Sequence, residues 1–127
     1  MNKEQSSVLE FHKAFDQYIG KFPTVDIPQD VINLRIELIE EELQELKDGI
    51  EEHDIIKIAD ALADLKYVVD GAGIAFGIDL EPIFAEVHRS NMTKVGGHKR
   101  EDGKWIKPND YEPPDILGVI AEQICSK

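Results

Sequence analysis

Residues 37–49 read ELIEEELQELKDG, with five glutamates between Glu37 and Glu45. Leu38, Ile39, Leu43 and Leu46 punctuate the run, so it is an amphipathic helix and not a disordered acidic tail. Like charges at helical spacing repel by roughly 0.2–0.5 kcal/mol per pair. A helix that gathers them either turns them to water or holds something cationic.

Helical phasing at about 100° per residue separates the two cases. Ile32, Ile36, Ile39, Leu43, Leu46 and Ile50 form one apolar stripe, and Val31, Leu34 and Leu38 form a second. Continued by one and two turns, the second stripe meets Glu41, Glu42 and Glu45, while Glu37, Glu40 and Gln44 point to solvent. The next helix has its main apolar stripe at Ile58, Leu62, Leu65, Val69, Ala72 and Phe76, with Asp60 and Asp64 sharing a different face with Tyr67 and Gly71. If these helices pack antiparallel, Glu41, Glu42, Glu45, Asp60 and Asp64 reach similar heights around one cleft. Crowded carboxylates raise one another's pKa values, and oxygen-rich clusters of this kind suit Mg²⁺, with Mn²⁺ as a substitute. A merely solvated acidic face is the competing reading.

The remainder of the 127-residue chain fits one all-α domain over residues 1–127, a bundle of four to five helices with an irregular basic C-terminal segment. A first helix is expected over residues 6–20, capped by Ser6 or Ser7 and stopped by Gly20; the second runs from Pro28 to about Gly49, and the third ends at Gly77. A fourth helix follows Asp79. A loop with a small hairpin at Glu101-Asp-Gly leads to a short last helix over residues 116–124. No apolar run approaches the roughly 20 residues needed to span a bilayer, and the charged N-terminal stretch is unlike a signal peptide, so a cytoplasmic location is expected. Cys125 is the single cysteine and forms no internal disulfide. The net charge of −12 argues against nucleic-acid polymers as partners. Six of the fourteen Lys and Arg residues nevertheless lie between His88 and Lys107, a distribution that suits a small anionic ligand.

The string EELQE (Glu41, Glu42, Glu45), followed by DALAD on the next helix, resembles the signature of the MazG-like all-α nucleoside triphosphate pyrophosphohydrolases: EExxE on one helix and ExxD on the next. The later strings HRSNMTK and KREDGKWIKP look like a branch labelled Cof-like or phosphoribosyl-ATP pyrophosphohydrolase-like. The similarity covers about residues 30–116. One position departs from the signature. If Asp64 is its aspartate, Ala61 stands where the glutamate belongs, and Asp60 is inferred to supply the missing carboxylate.

The resemblance implies metal-dependent hydrolysis of an NTP or dNTP to the monophosphate and pyrophosphate, with Mg²⁺ held by Glu41, Glu42, Glu45, Asp60 and Asp64, and one of the glutamates as a possible general base. It also implies a homodimer or dimer of dimers, in keeping with the second apolar stripe of the Glu-rich helix. A base-selective, dUTPase-like diphosphohydrolase and a non-catalytic acidic helical interaction module are the alternatives. In the basic segment, Asn91, Lys94, Lys99, Arg100 and Lys104 are the expected phosphate-binding residues. A nucleobase pocket would draw on scattered apolar residues such as Phe11, Phe15 and Tyr67.

Overall fold

The computed structural model describes residues 1–125. Five helices carry the fold: α1 (Lys3–Ala14), α2 (Gln29–Glu51), α3 (Ile55–Ala75), α4 (Leu80–Met92) and α5 (Ile116–Cys125). Two short strands, β1 (His98–Lys99) and β2 (Trp105–Ile106), pair antiparallel. The all-α expectation holds, and the small hairpin lies where Glu101-Asp-Gly places it, with Gly103 at φ +90° in its turn. The described residues gather into two compact units, Met1–Leu80 and a second that begins at Glu81.

In the first unit, α2 and α3 form an antiparallel pair. The chain turns at His53, which takes a left-handed φ of 53°. Asp54 then caps α3, its Oδ1 accepting the N–H groups of Ile56 (3.1 Å) and Lys57 (3.2 Å). Gly49 lets the two backbones approach closely: a Cβ there would sit 3.1 Å from the Ile58 nitrogen.

Helix α1 packs on α3 and differs from expectation at both ends. It starts before Ser6, because Asn2 Oδ1 accepts the Gln5 N–H at 2.8 Å. It stops at Ala14, because Asp16 goes left-handed and the Gln17 N–H turns back to the His12 carbonyl at 2.8 Å. Gly20 is therefore not a helix stop. It sits in the segment that docks on the end of α3, where the Gly20 N–H donates to the Ile74 carbonyl (2.9 Å) and the Thr24 N–H to the Phe76 carbonyl (3.1 Å). Gly77, at φ +75°, allows this docking, since a Cβ would fall 2.2 Å from the Phe22 carbonyl oxygen.

The core also corrects the phasing of the apolar stripes. Val8, Ala61, Ile74 and Ala75 are buried, together with Gln5, His12 and Arg35. Ile36, Leu43 and Ile50 on α2, and Leu62 and Val69 on α3, all expected in the core, stay largely exposed. The most buried positions include Arg35 and Gly49 on α2 and Ala61, Gly71, Ile74 and Ala75 on α3. Ile32, Ile39 and Leu46 of the expected α2 stripe and Ile58, Leu65, Ala72 and Phe76 of the α3 stripe are half-buried.

In the second unit, Glu86 of α4 receives a two-pronged bond from Arg89, Nε to Oε1 at 2.8 Å and Nη2 to Oε2 at 2.9 Å. Its Oε2 also accepts the Asp115 N–H at 2.7 Å, which ties the approach to α5 onto α4. These bonds hold the Glu86 carboxyl down to about 2, Arg89 being the largest cause. No helix among the described residues is long and apolar enough to cross a membrane.

Candidate active site

Glu42, Glu45 and Asp64 each offer a carboxylate oxygen, and these atoms lie within 4.8 Å of one another. Glu42 and Glu45 are one turn apart on α2, and the antiparallel crossing brings Asp64 of α3 opposite them. Glu42 and Asp64 are half-buried and Glu45 is exposed. Burial pushes the Glu42 carboxyl up to about 7, and the charges of Asp64, Glu45 and Asp60 reinforce the rise. Asp64 is also raised, first by burial and then by Asp60 and Glu45. Glu42 Oε2 is buried with no hydrogen-bond partner among the described residues.

This donor set fits a hard divalent cation: carboxylate oxygens converging from two rigid helices, with a buried acceptor left over. Of the five acids expected around the cleft, the fold brings these three together. Glu41 and Asp60 are exposed and lie outside the trio, although the Asp60 charge is felt by both Glu42 and Asp64. Asp60, inferred as the substitute for the signature glutamate, thus lies near the trio without being one of the three converging carboxylates. The position of that glutamate is taken by Ala61, whose side chain is buried in the core.

A cavity of about 290 Å³ opens beside the cluster, among α1, α2 and α3. Glu42 and Asp64 line one end, and His12, Gln17 and Arg35 the other, with Phe11, Leu38, Tyr67 and Val68 among the walls. Phe11 and Tyr67 meet edge to face at 5.8 Å between centroids. Phe15 stacks on Phe11 at 4.4 Å but does not line the cavity.

A model of the family described as phosphoribosyl-ATP pyrophosphohydrolase matches residues 8–91. The chain belongs to this family. The matched span runs from α1 into the end of α4, so it contains the carboxylate trio and the whole cavity and stops before the hairpin. A relative from Acanthamoeba polyphaga mimivirus, titled an uncharacterized protein, is 43% identical over 70 residues. The match covers 55% of this chain and 24% of the viral protein, so the chain spans only a part of that relative's length.

The polar end of this pyrophosphohydrolase-family cavity went unread in the sequence. Arg35 is 5% exposed and His12 2%. His12 Nδ1 lies 2.9 Å from the Tyr18 carbonyl oxygen and so carries the proton, leaving Nε2 to accept from Arg35 Nη1 at 3.5 Å. Burial lowers the His12 pKa, the Tyr18 bond opposes that, and the Arg35 charge lowers it further, so the ring is neutral at pH 7. The one available signal was position: Arg35 is seven residues before Glu42 and so faces the same way on α2.

The five residues expected to bind phosphate all belong to the second unit. Lys94 is half-buried, with Nζ 5.8 Å from the centre of the Tyr111 ring; Lys107 approaches the same ring at 4.6 Å. The Lys94 carbonyl accepts the Trp105 Nε1–H at 2.7 Å, so Trp105 anchors the hairpin to the end of α4. Arg100 is engaged within the hairpin turn, its Nε bonding Asp102 Oδ1 at 2.9 Å and its Nη2 bonding Oδ2. Asn91, Lys99 and Lys104 are exposed.

Proposed function

We propose that the protein is a divalent-metal-dependent nucleoside triphosphate pyrophosphohydrolase, which cleaves an NTP or dNTP to the monophosphate and pyrophosphate. The observation that carries this reading is the convergence of Glu42, Glu45 and Asp64 at the mouth of a cavity, in a chain of the phosphoribosyl-ATP pyrophosphohydrolase family. Glu42, Glu45 and Asp64 would hold Mg²⁺, with Glu41 and Asp60 adding negative charge nearby. When bound, the ion neutralises triphosphate charge and lowers the pKa of water.

The side chains have roles of their own. The Glu42 carboxyl is raised to about 7 in the metal-free protein, so it would shed its proton on ligating a cation. A glutamate not engaged by the ion would serve as general base. Asn91, Lys94, Lys99 and Lys104 of the second unit keep the phosphate-binding role expected from their charge and amide donors. Arg100 joins them only by leaving Asp102. The exposed apolar row of Ile36, Leu43 and Ile50 on α2, together with exposed Leu62 and Val69 on α3, supports a homodimer or dimer of dimers, because large exposed apolar side chains in number are normally covered.

The test is pyrophosphate release from a panel of NTPs and dNTPs in millimolar Mg²⁺ or Mn²⁺. Metal-dependent release that disappears with EDTA is the expected result. A protein that stays folded and binds metal, yet releases nothing from any of the nucleotides, is a binding module and not an enzyme.

A further inference from the structure

We propose that Arg35 is the base-reading residue of the cavity and that it selects a guanine-type oxo-purine; this rests on the nucleotide reading of the same site. The guanidinium is a buried cation, and no carboxylate pairs with it among the described residues. Buried charges are ordinarily paired, so a lone one facing a cavity calls for acceptors from a ligand. Its bonds within the protein are long: Nη1 to His12 Nε2 and Nη2 to Gln17 Oε1, both 3.5 Å. Nε is buried with no partner. An arginine carries five N–H groups in a planar fork, so donors remain beyond those two contacts.

The cavity tells base from phosphate. Arg35 and Glu42 are seven residues apart on one helix, roughly 10 Å by the helical rise. Between them the walls are Phe11, Leu38, Tyr67 and Val68, apolar and aromatic. Such walls suit a flat base and not a triphosphate, whose charge would lie unpaired along them. With phosphates at the carboxylate end, the base occupies the middle of the cavity and its edge meets Arg35. At about 290 Å³ the space is near the lower end of ligand pockets and has room for a purine.

The fork then decides which purine. Guanine offers two adjacent acceptors, O6 and N7, which match two parallel N–H donors. Adenine keeps N7 but turns an amino group toward the cation, donor against donor. Gly71 holds the arrangement open, since a Cβ at that position would lie 2.6 Å from Arg35 Nη1 and 3.2 Å from His12 Nε2.

The test is calorimetric binding of GMP, IMP, 7-deaza-GMP and AMP to the full chain. GMP and IMP should bind alike and about 5- to 140-fold more tightly than AMP, which is 1–3 kcal/mol at 1.4 kcal/mol per tenfold. Loss of N7 should place 7-deaza-GMP between them. Arg35→Met, which keeps the stem without the fork, should collapse the GMP-to-AMP ratio toward one. Gly71→Ala, which displaces the guanidinium without removing it, should do the same, and melting curves show that each variant is folded. Equal affinity of the parent for GMP and AMP, or no GMP binding at millimolar concentration, overturns the proposal. So does an equal loss of all four ligands in both variants, which would make Arg35 a phosphate contact or a structural residue. A preserved GMP preference without pyrophosphate release from any NTP would sink the enzymatic reading and leave the pocket standing. Release from every NTP without base preference would do the reverse.

Discussion

Replacing Glu42 by Gln should stabilise the metal-free protein at pH 8 while destroying its response to metal. Two unit charges 4.8 Å apart repel by about 3.5 kcal/mol at an effective dielectric of ~20 and by ~0.9 kcal/mol in water. Glu42 is half-buried and its neighbour Glu45 exposed, so the true value lies between these limits, about 1–3 kcal/mol. The rise of the Glu42 carboxyl to about 7 expresses the same repulsion together with burial. A raised acid binds its proton more tightly in the folded state. Between about pH 4.5 and 7 the folded protein therefore holds more protons than the unfolded chain, and stability falls as pH rises. Asp64, raised for related reasons, adds to the same trend.

Gln keeps the shape and a donor toward Asp64 but has no charge to lose. In EDTA at pH 8, Glu42→Gln should melt roughly 3–15 °C above the parent, by the usual scaling of Tm with stability for a domain of this size. At pH 4 the gap should close, because Glu42 of the parent is then protonated as well. Millimolar Mg²⁺ should raise the parent's Tm by mass action and the variant's much less. Differential scanning fluorimetry across pH, with and without Mg²⁺, reads all of this. A variant less stable than the parent at pH 8, or a gain equally large at pH 4, would show that Glu42 is not under electrostatic strain in the folded state.

Asp64→Asn should fold normally and lose pyrophosphate release by orders of magnitude, whereas Glu40→Gln, on the exposed face of α2, should be nearly silent; comparable losses would mean that the carboxylate trio is not the reacting centre. Lys94→Ala should weaken substrate and pyrophosphate binding about 10- to 150-fold, from ~1.5–3 kcal/mol for a charge-assisted bond, while calorimetry finds Mg²⁺ binding intact. An unchanged Michaelis constant would leave the basic segment without a phosphate role. Gly77→Ala should cost at least ~1–2 kcal/mol in urea unfolding, from the left-handed backbone alone, with the Phe22 carbonyl clash in addition. Glu86→Gln should speed hydrogen exchange at the start of α5, since the doubly bonded carboxylate that anchors the Asp115 N–H is weakened. Unchanged exchange would mean that α5 is held by other contacts.

What could be read from the chain alone was what is local. Helical periodicity, Pro28 at the start of α2 and the glycine in the hairpin turn depend on a few neighbouring residues, and they place the five helices and the hairpin. The acidic pattern, EELQE then DALAD, is likewise a matter of spacing along two helices, and it sufficed to find Glu42, Glu45 and Asp64. Which acids actually converge was decided by the rotation of α2 against α3. That rotation depends on side chains from both helices at once, including the close approach at Gly49 and the buried Ala61, and it leaves Glu41 and Asp60 outside the trio. Burial differs for the same reason: Ile36, Leu43 and Ile50 look like core on a helical wheel, but they stay exposed when α2 packs on α3. Arg35 and His12 show the limit most clearly. In sequence a charged residue among isoleucines reads as a solvent contact; only the packing of both α1 and α2 on α3, with Gly71 making room, turns Arg35 into a buried cation at the end of a cavity.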